Sequence, residues 1–317
     1  MKKARVIVCS DFPPVDGIPG AADYGELHMK SDLDDIQSMV RFLLYANEFD
    51  IVGLVASSGT LANIANKSNI LAVIAQYEKV ESNLKRHDPA FPSADYLRGI
   101  TVEGRSGTYA KPCEEIIGAD CDSQASEFIM QVIDASEDPT WVLFWGGPCD
   151  LAQAIWKVEA TRTVQELNRF IGKLRVFFID WQDGTAKWMI DRFPELFSIT
   201  SRCYGAMADR DAYGIKWLRE NVIFHHGPLG AIYPPCNWQP GVEGIGEGDS
   251  PSFLHLLGHL NGLNDPEKPW MGGWGGKYEK ISRNRYEDKP GFQEYISMWK
   301  SAFNRDLAAR MDWCRAE

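Results

Sequence analysis

The sequence predicts an α/β fold built on a mostly parallel sheet with crossover helices. Apolar runs of strand length recur at residues 5–10, 50–56, 140–145 and 174–179. Between them lie stretches with apolar residues at helical spacing, as in Ile36, Met39, Val40, Leu43 and Leu44. Each run ends in a polar or glycine-rich turn before the next helix begins, the order expected of parallel strands joined by helices.

Taken in order, the first strand ends at Asp11, and residues 12–30 follow as a loop broken by Pro13, Pro14, Gly17, Pro19, Gly20 and Gly25. An irregular loop this long suggests a lid. Ser31 is a suitable N-cap for a helix running to about Asn47, with Asp32, Asp34 and Asp35 at its positive end. The second strand ends in Ser57-Ser58-Gly59-Thr60, and a helix is expected from about Leu61 to Lys79. Residues 86–122 read as irregular. A helix at 123–135 then leads to the strand at 140–145, which stops at Gly146-Gly147-Pro148-Cys149-Asp150 before a helix from Leu151. The strand at 174–179 ends in Asp180-Trp181-Gln182-Asp183-Gly184, ahead of a helix containing Met189, a short strand near 197–201 and a helix near 213–220. After a Gly/Pro-rich stretch at 225–249, the chain closes on a long amphipathic helix through Phe292, Ile296, Trp299, Phe303, Leu307 and Met311.

With 317 residues, 44% of them hydrophobic, the chain can bury a sizeable core, and it shows no repeat or linker. One domain over residues 1–317 is expected. The formal net charge of −11 argues against nucleic acid or an anionic membrane as partner. Seven cysteines without a C-x-x-C pattern point to neither a disulfide framework nor a zinc site. No segment approaches the ~18 apolar residues of a membrane span. The first residues lack the apolar region of a signal peptide, so a cytoplasmic location is expected.

In an open parallel sheet, ligands bind outside the C-terminal ends of the strands. Those ends carry Asp11, Ser58 and Thr60, Cys149 and Asp150, and Asp180, Gln182 and Asp183. Each also has a structural explanation as a helix cap, turn former or first-turn charge. Convergence on one pocket is what favours function. Carboxylates of Asp11, Asp34 and Asp35 gathered at one strand end repel unless a cation lies between them, and hard oxygen donors suit Ca²⁺ or Mg²⁺. Glu247 and Asp249 add an acidic site before a helix whose Pro251 suits the first turn. His225 and His226 lack a partner at metal-ligand spacing. Trp270 and Trp274, in a Gly/Trp loop, suit either a sugar wall or a packed turn.

The stretch from Asp11 through Asp34-Asp35 resembles a split nucleoside hydrolase signature, one Asp followed by an Asp pair opening a helix. Further runs extend the likeness: Asn47 to Ala56, His87 to Ala94, Trp145-Gly146-Gly147-Pro148, Leu151 to Ala154, Trp217 to Val222, His226 to Ala231, Glu247 to Leu254, Gly262 to Glu267, Gly272 to Glu279 and Ala308 to Trp313. Together they resemble the nucleoside hydrolase-like domain of the cellulose-binding protein family. The resemblance implies a Rossmann-like fold with helices on both faces and a Ca²⁺ held by Asp11, Asp35, Asp249 and a backbone carbonyl at Cys149. It implies Asp34 and Thr60 as sugar contacts, with Gln182, Asp183, Glu247, Trp181 and His226 as further substrate-binding candidates. The activity implied is hydrolysis of the N-glycosidic bond of a nucleoside or related small glycoside, by metal-activated water with Asp11 as general base. A homo-oligomer is compatible with it. The alternative is a non-catalytic carbohydrate-binding protein using faces such as Trp181, Trp270 or Trp274. Two departures stand out. Twenty-two residues separate Asp11 from Asp34 where the family has a short turn, and Gly248 stands where inosine–uridine hydrolases have a histidine.

Overall fold

The computed structural model describes residues 3–16, 33–236 and 241–315, with the backbone of 18–19 and 30–31. Among the described residues one sheet contains β1 (Ala4–Ser10), β2 (Phe49–Ala56), β3 (Thr101–Glu103), β4 (Thr140–Phe144), β5 (Leu174–Ile179), β6 (Phe197–Ser201), β7 (Glu279–Lys280) and β8 (Arg285–Glu287). Their spatial order is β3-β2-β1-β4-β5-β6-β8-β7. Neighbours are parallel except β7 and β8, which run antiparallel.

Strands covered on both faces are apolar on both, and here alternate residues feed two cores. Val6, Val8, Leu54, Leu143 and Phe177 join one core. It also takes Ile36 and Val40 of α1 (Asp34–Leu44), Val73 and Tyr77 of α2 (Lys67–His87), and residues from the C-terminal third. Ile7, Cys9, Val55, Val142 and Phe178 join the other core, under α3 (Gln124–Asp134), α4 (Cys149–Thr161), α5 (Val164–Gly172) and α6 (Gly184–Arg192). The α/β architecture with helices on both faces is therefore as the sequence implies. From β1 the chain builds outward through β2 and β3, then returns to lay β4 on the other side of β1. That reversal opens a crevice at the C-terminal ends of β1 and β4.

Several boundaries differ from the sequence reading. Helix α1 has Leu33, not Ser31, at its N-cap, because the Ser31 backbone is paired with Pro19 in a separate short ribbon. Helix α2 starts at Lys67 under an Asn66 cap, because the N–H groups of Leu61 and Ala62 are directed to Asp11. The irregular segment after Arg86 contains the edge strand β3, too short to show alternation. The C-terminal amphipathic stretch is broken at Met298 and Trp299 into Glu294–Ser297 and Lys300–Asp312. Most of the 12–30 loop, and Asp32, lie outside the described residues. No helix among the described residues is long and apolar enough to cross a membrane.

Candidate functional site

The crevice is a cavity of about 520 Å³, and the segment after each of four neighbouring strands supplies part of its lining. Asp11 follows β1, the Thr60 turn follows β2, Trp145 follows β4, and Asp180, Trp181 and Gln182 follow β5. Asp34 and Asp35 enter from the first turn of α1, where the helix dipole favours carboxylates. Gly248 and Asp249 enter from the turn before the helix Ser250–Leu254, and Tyr109, Leu61, Ile179 and Tyr204 complete the wall.

One oxygen each of Asp34, Asp35 and Asp249 lies within 4.8 Å of the others. Asp35 accepts a hydrogen bond from the Ser10 hydroxyl, and Asp34 Oδ2 accepts one from the Gly248 N–H at 3.0 Å. Three carboxylates this close, with no lysine or arginine among the described lining residues, fit a hard divalent cation. Asp11 faces the same cavity but is not in that trio. Its Oδ2 accepts the N–H groups of Ala62 at 3.2 Å and Leu61 at 3.4 Å. Burial pushes the Asp11 carboxyl up to about 7, with the Asp34 charge adding and the backbone N–H groups opposing.

Thr60, Gln182 and Trp181 reach the cavity as expected. The Gln182 side chain is a brace: its Oε1 accepts from Thr60 N–H at 2.9 Å and its Nε2 donates to the Trp145 carbonyl. Trp181 donates its indole N–H to Thr200, while Arg202 and Arg285 each stack on its ring with 5.3 Å to the centroid.

Other candidates go elsewhere. Cys149 is the first residue of α4, so its carbonyl points into the next helical turn, and the residue does not line the cavity. Asp183 caps α6, accepting from Thr185 N–H at 2.8 Å, so the structural reading wins there. Glu247 is fully buried behind the cavity in an ion pair with Arg41. His226 is buried against the C-terminal helix, where its Nε2 meets Asp312 at 3.3 Å and Arg315 at 2.7 Å. It stands apart from the cavity lining and cannot replace the histidine missing at 248. Trp274 packs into the core beside Phe303, and Trp270 stacks on Tyr286. Tyr109 and Tyr204 were not singled out from sequence. Tyr204 follows the end of β6, where the rule used for the other strands points.

Residues 27–278 match the family described as cellulose-binding Sde182, nucleoside hydrolase-like domain. The chain belongs to that family. Members of the same fold include a nucleoside hydrolase-related hypothetical protein from Saccharophagus degradans that is associated with carbohydrate metabolism. It is 31% identical, covers 99% of this chain and 72% of its own, and superposes with a TM-score of 0.80. The plant nucleoside hydrolase PpNRh1 shares the fold at 13% identity, with 98% and 99% of the two chains covered and a TM-score of 0.50. The type III effector protein XopQ, solved with adenosine diphosphate ribose, does so at 8% identity, with 100% and 96% covered and a TM-score of 0.52. No curated protein matches the chain.

Proposed function

We propose that the chain is a Ca²⁺-dependent hydrolase of the glycosidic bond in a nucleoside or related small glycoside. The observation that supports this reading is the trio Asp34, Asp35 and Asp249 lining one cavity with Asp11 at the strand ends. These carboxylates would hold the ion, with Asp11 beside them. Once bound, a divalent cation supplies a water of lowered pKa and a template for sugar hydroxyls. Asp11 would serve as general base, because its carboxylate lines the same cavity as the trio. Its Oδ2 is oriented by two backbone N–H groups, so it enters the reaction already aligned. As the glycosidic bond stretches, positive charge grows on the sugar ring, and the acidic wall stabilises it.

The aromatic lining at Tyr109, Trp181 and Tyr204 supports a second reading, a carbohydrate-binding protein without turnover. A panel of nucleosides and aryl glycosides, assayed with Ca²⁺ and then with a chelator, separates the two. Hydrolysis that stops on chelation and in Asp11→Asn supports the first reading. Sugar binding with no turnover supports the second. A small glycoside of this kind, bound by one cytoplasmic domain acting singly or as a homo-oligomer, is the expected partner.

A further inference from the structure

We infer that Trp145 and Ser252 are positioning residues for the Asp249 carboxylate: the indole N–H of Trp145 fixes the Ser252 hydroxyl on the Asp249 carbonyl, and this relay aims the Asp249 side chain at the ion. The inference rests on the metal-dependent reading of the site and names what holds the ligand that comes from farthest along the chain.

Asp249 stands at the start of the helix Ser250–Leu254. An aspartate there usually turns its carboxylate onto the N–H groups of the first turn. Asp249 makes no such cap, and the turn closes without it. Pro251 has no N–H, and the N–H groups of Ser250 and Ser252 donate at 3.1 Å to the carbonyls of Glu247 and Asp249. The Ser252 hydroxyl adds a second bond to the Asp249 carbonyl, at 2.6 Å. The Asp249 carboxylate instead joins those of Asp34 and Asp35, one oxygen of each lying within 4.8 Å of the others.

Trp145 Nε1 lies 2.8 Å from the Ser252 hydroxyl, and both residues are buried. An indole N–H only donates, so the hydroxyl accepts from it and sends its single proton to the Asp249 carbonyl. The other end of the relay is anchored in the sheet. The Trp145 N–H donates at 2.8 Å to the carbonyl of Cys9, two residues before Asp11, and the Trp145 carbonyl accepts from Gln182. The indole meets Phe42 edge-on at 6.1 Å and tilts against Phe253 at 6.2 Å. The Asp249 main chain is thereby tied to the strand end that carries Asp11. One frame sets both the trio and Asp11, although 238 residues separate Asp11 from Asp249.

The test is calorimetric titration with CaCl₂, set beside denaturant titration of the same variants without Ca²⁺. Ser252→Ala breaks the relay and should weaken Ca²⁺ binding about tenfold, as is usual when a partner that orients a metal ligand is lost. Trp145→Phe removes the N–H but keeps a ring, should weaken binding similarly, and serves if the alanine variant does not fold. Combining the two should cost no more than Ser252→Ala alone, because one broken link already disables the relay. Phe170→Leu, in the core on the other face of the sheet, controls for general loosening: it should lower stability and leave Ca²⁺ affinity unchanged. Unchanged affinity in Ser252→Ala and Trp145→Phe overturns the assignment and leaves the pair a packing element. So do additive losses in the double variant, or an equal loss in Phe170→Leu. An intact chain that binds no Ca²⁺ overturns the metal-dependent reading itself, and this assignment with it.

Discussion

Arg41 and Glu247 form an ion pair in which both side chains are completely buried. Arg41 also donates to the Phe303 carbonyl at 3.2 Å and to Asn304 Oδ1 at 2.9 Å. Glu247 accepts from the Tyr233 hydroxyl at 2.6 Å and from Ser250 at 3.1 Å. The pair connects the helix that starts with Asp34 and Asp35 to the turn that carries Asp249. Gln37 adds to the link, since its Oε1 accepts from Gly246 N–H at 2.7 Å and its Nε2 donates to the Pro234 carbonyl at 2.8 Å. Glutamate at 247 is thus explained by what it holds together rather than by what binds in the cavity.

Removing one member of this pair strands a buried charge. Arg41→Met should destabilise the fold by about 3–5 kcal/mol, whereas Arg41→Met combined with Glu247→Leu should recover most of the loss. Denaturant titrations of the single and double variants measure this. A double variant no more stable than the single would mean that the hydrogen bonds to Tyr233, Ser250 and Asn304 matter more than the charge pairing.

The acidic trio should couple Ca²⁺ to stability. An ion that binds only the folded chain adds about 2.7 kcal/mol at a hundred times its Kd. The melting temperature should therefore rise with CaCl₂ and fall back with a chelator. In Asp249→Asn that response should be lost, while the metal-free melting temperature stays level or rises because one of three repelling charges is gone. Thermal melts with and without Ca²⁺ check both parts, and an undiminished shift in Asp249→Asn would place the ion elsewhere.

How far the sequence disclosed this site follows from what each residue answers to. Asp11, Asp34, Asp35 and Thr60 were legible because strand ends and helix starts show locally, through apolar runs and first-turn charges. The sheet with crossover helices was legible for the same reason. Glu247, Asp183 and His226 were misread because their partners are remote or hidden in backbone geometry: Arg41 lies on α1, the cap donor is Thr185 N–H, and Asp312 is on the last helix. A carboxylate flanking the late Asp looks the same in sequence whether it faces a ligand or an arginine. Strands β3, β7 and β8 were missed because two or three residues carry no periodicity.

A side chain at Gly59 should displace two polar groups of the site. A Cβ there would fall 2.4 Å from Asp11 Oδ2 and 2.5 Å from Gln182 Oε1. Gly59→Ala must push aside both the carboxylate assigned as base and the amide that braces three strand ends. A displacement near 1 Å can cost about 10²-fold in rate even when the fold survives. The expectation is a kcat loss of that order with the melting temperature little changed, measured on whichever glycoside the panel identifies. Wild-type turnover in Gly59→Ala would remove Asp11 from the reaction.

His255 makes the fold sensitive to acid. It is fully buried, its Nε2 lies 3.0 Å from the Pro266 carbonyl, and its ring packs against those of Trp141, Phe177 and Tyr278. The carbonyl can only accept, so Nε2 carries the proton, and Nδ1 is buried without a hydrogen-bond partner. Burial lowers the pKa from 6.5 to about 4. The unfolded chain therefore binds a proton first as pH falls. The stability associated with neutral His255 is complete above pH 6.5, drains between 6.5 and 4, and levels off below. The shift corresponds to roughly 3 kcal/mol across that window. His255→Gln keeps a donor for Pro266 but cannot titrate, so its unfolding free energy should fall less steeply than that of the unaltered chain between pH 6.5 and 4. Carboxylates contribute to both curves and cancel in the difference. Parallel slopes would show that the buried imidazole is protonated in the folded protein.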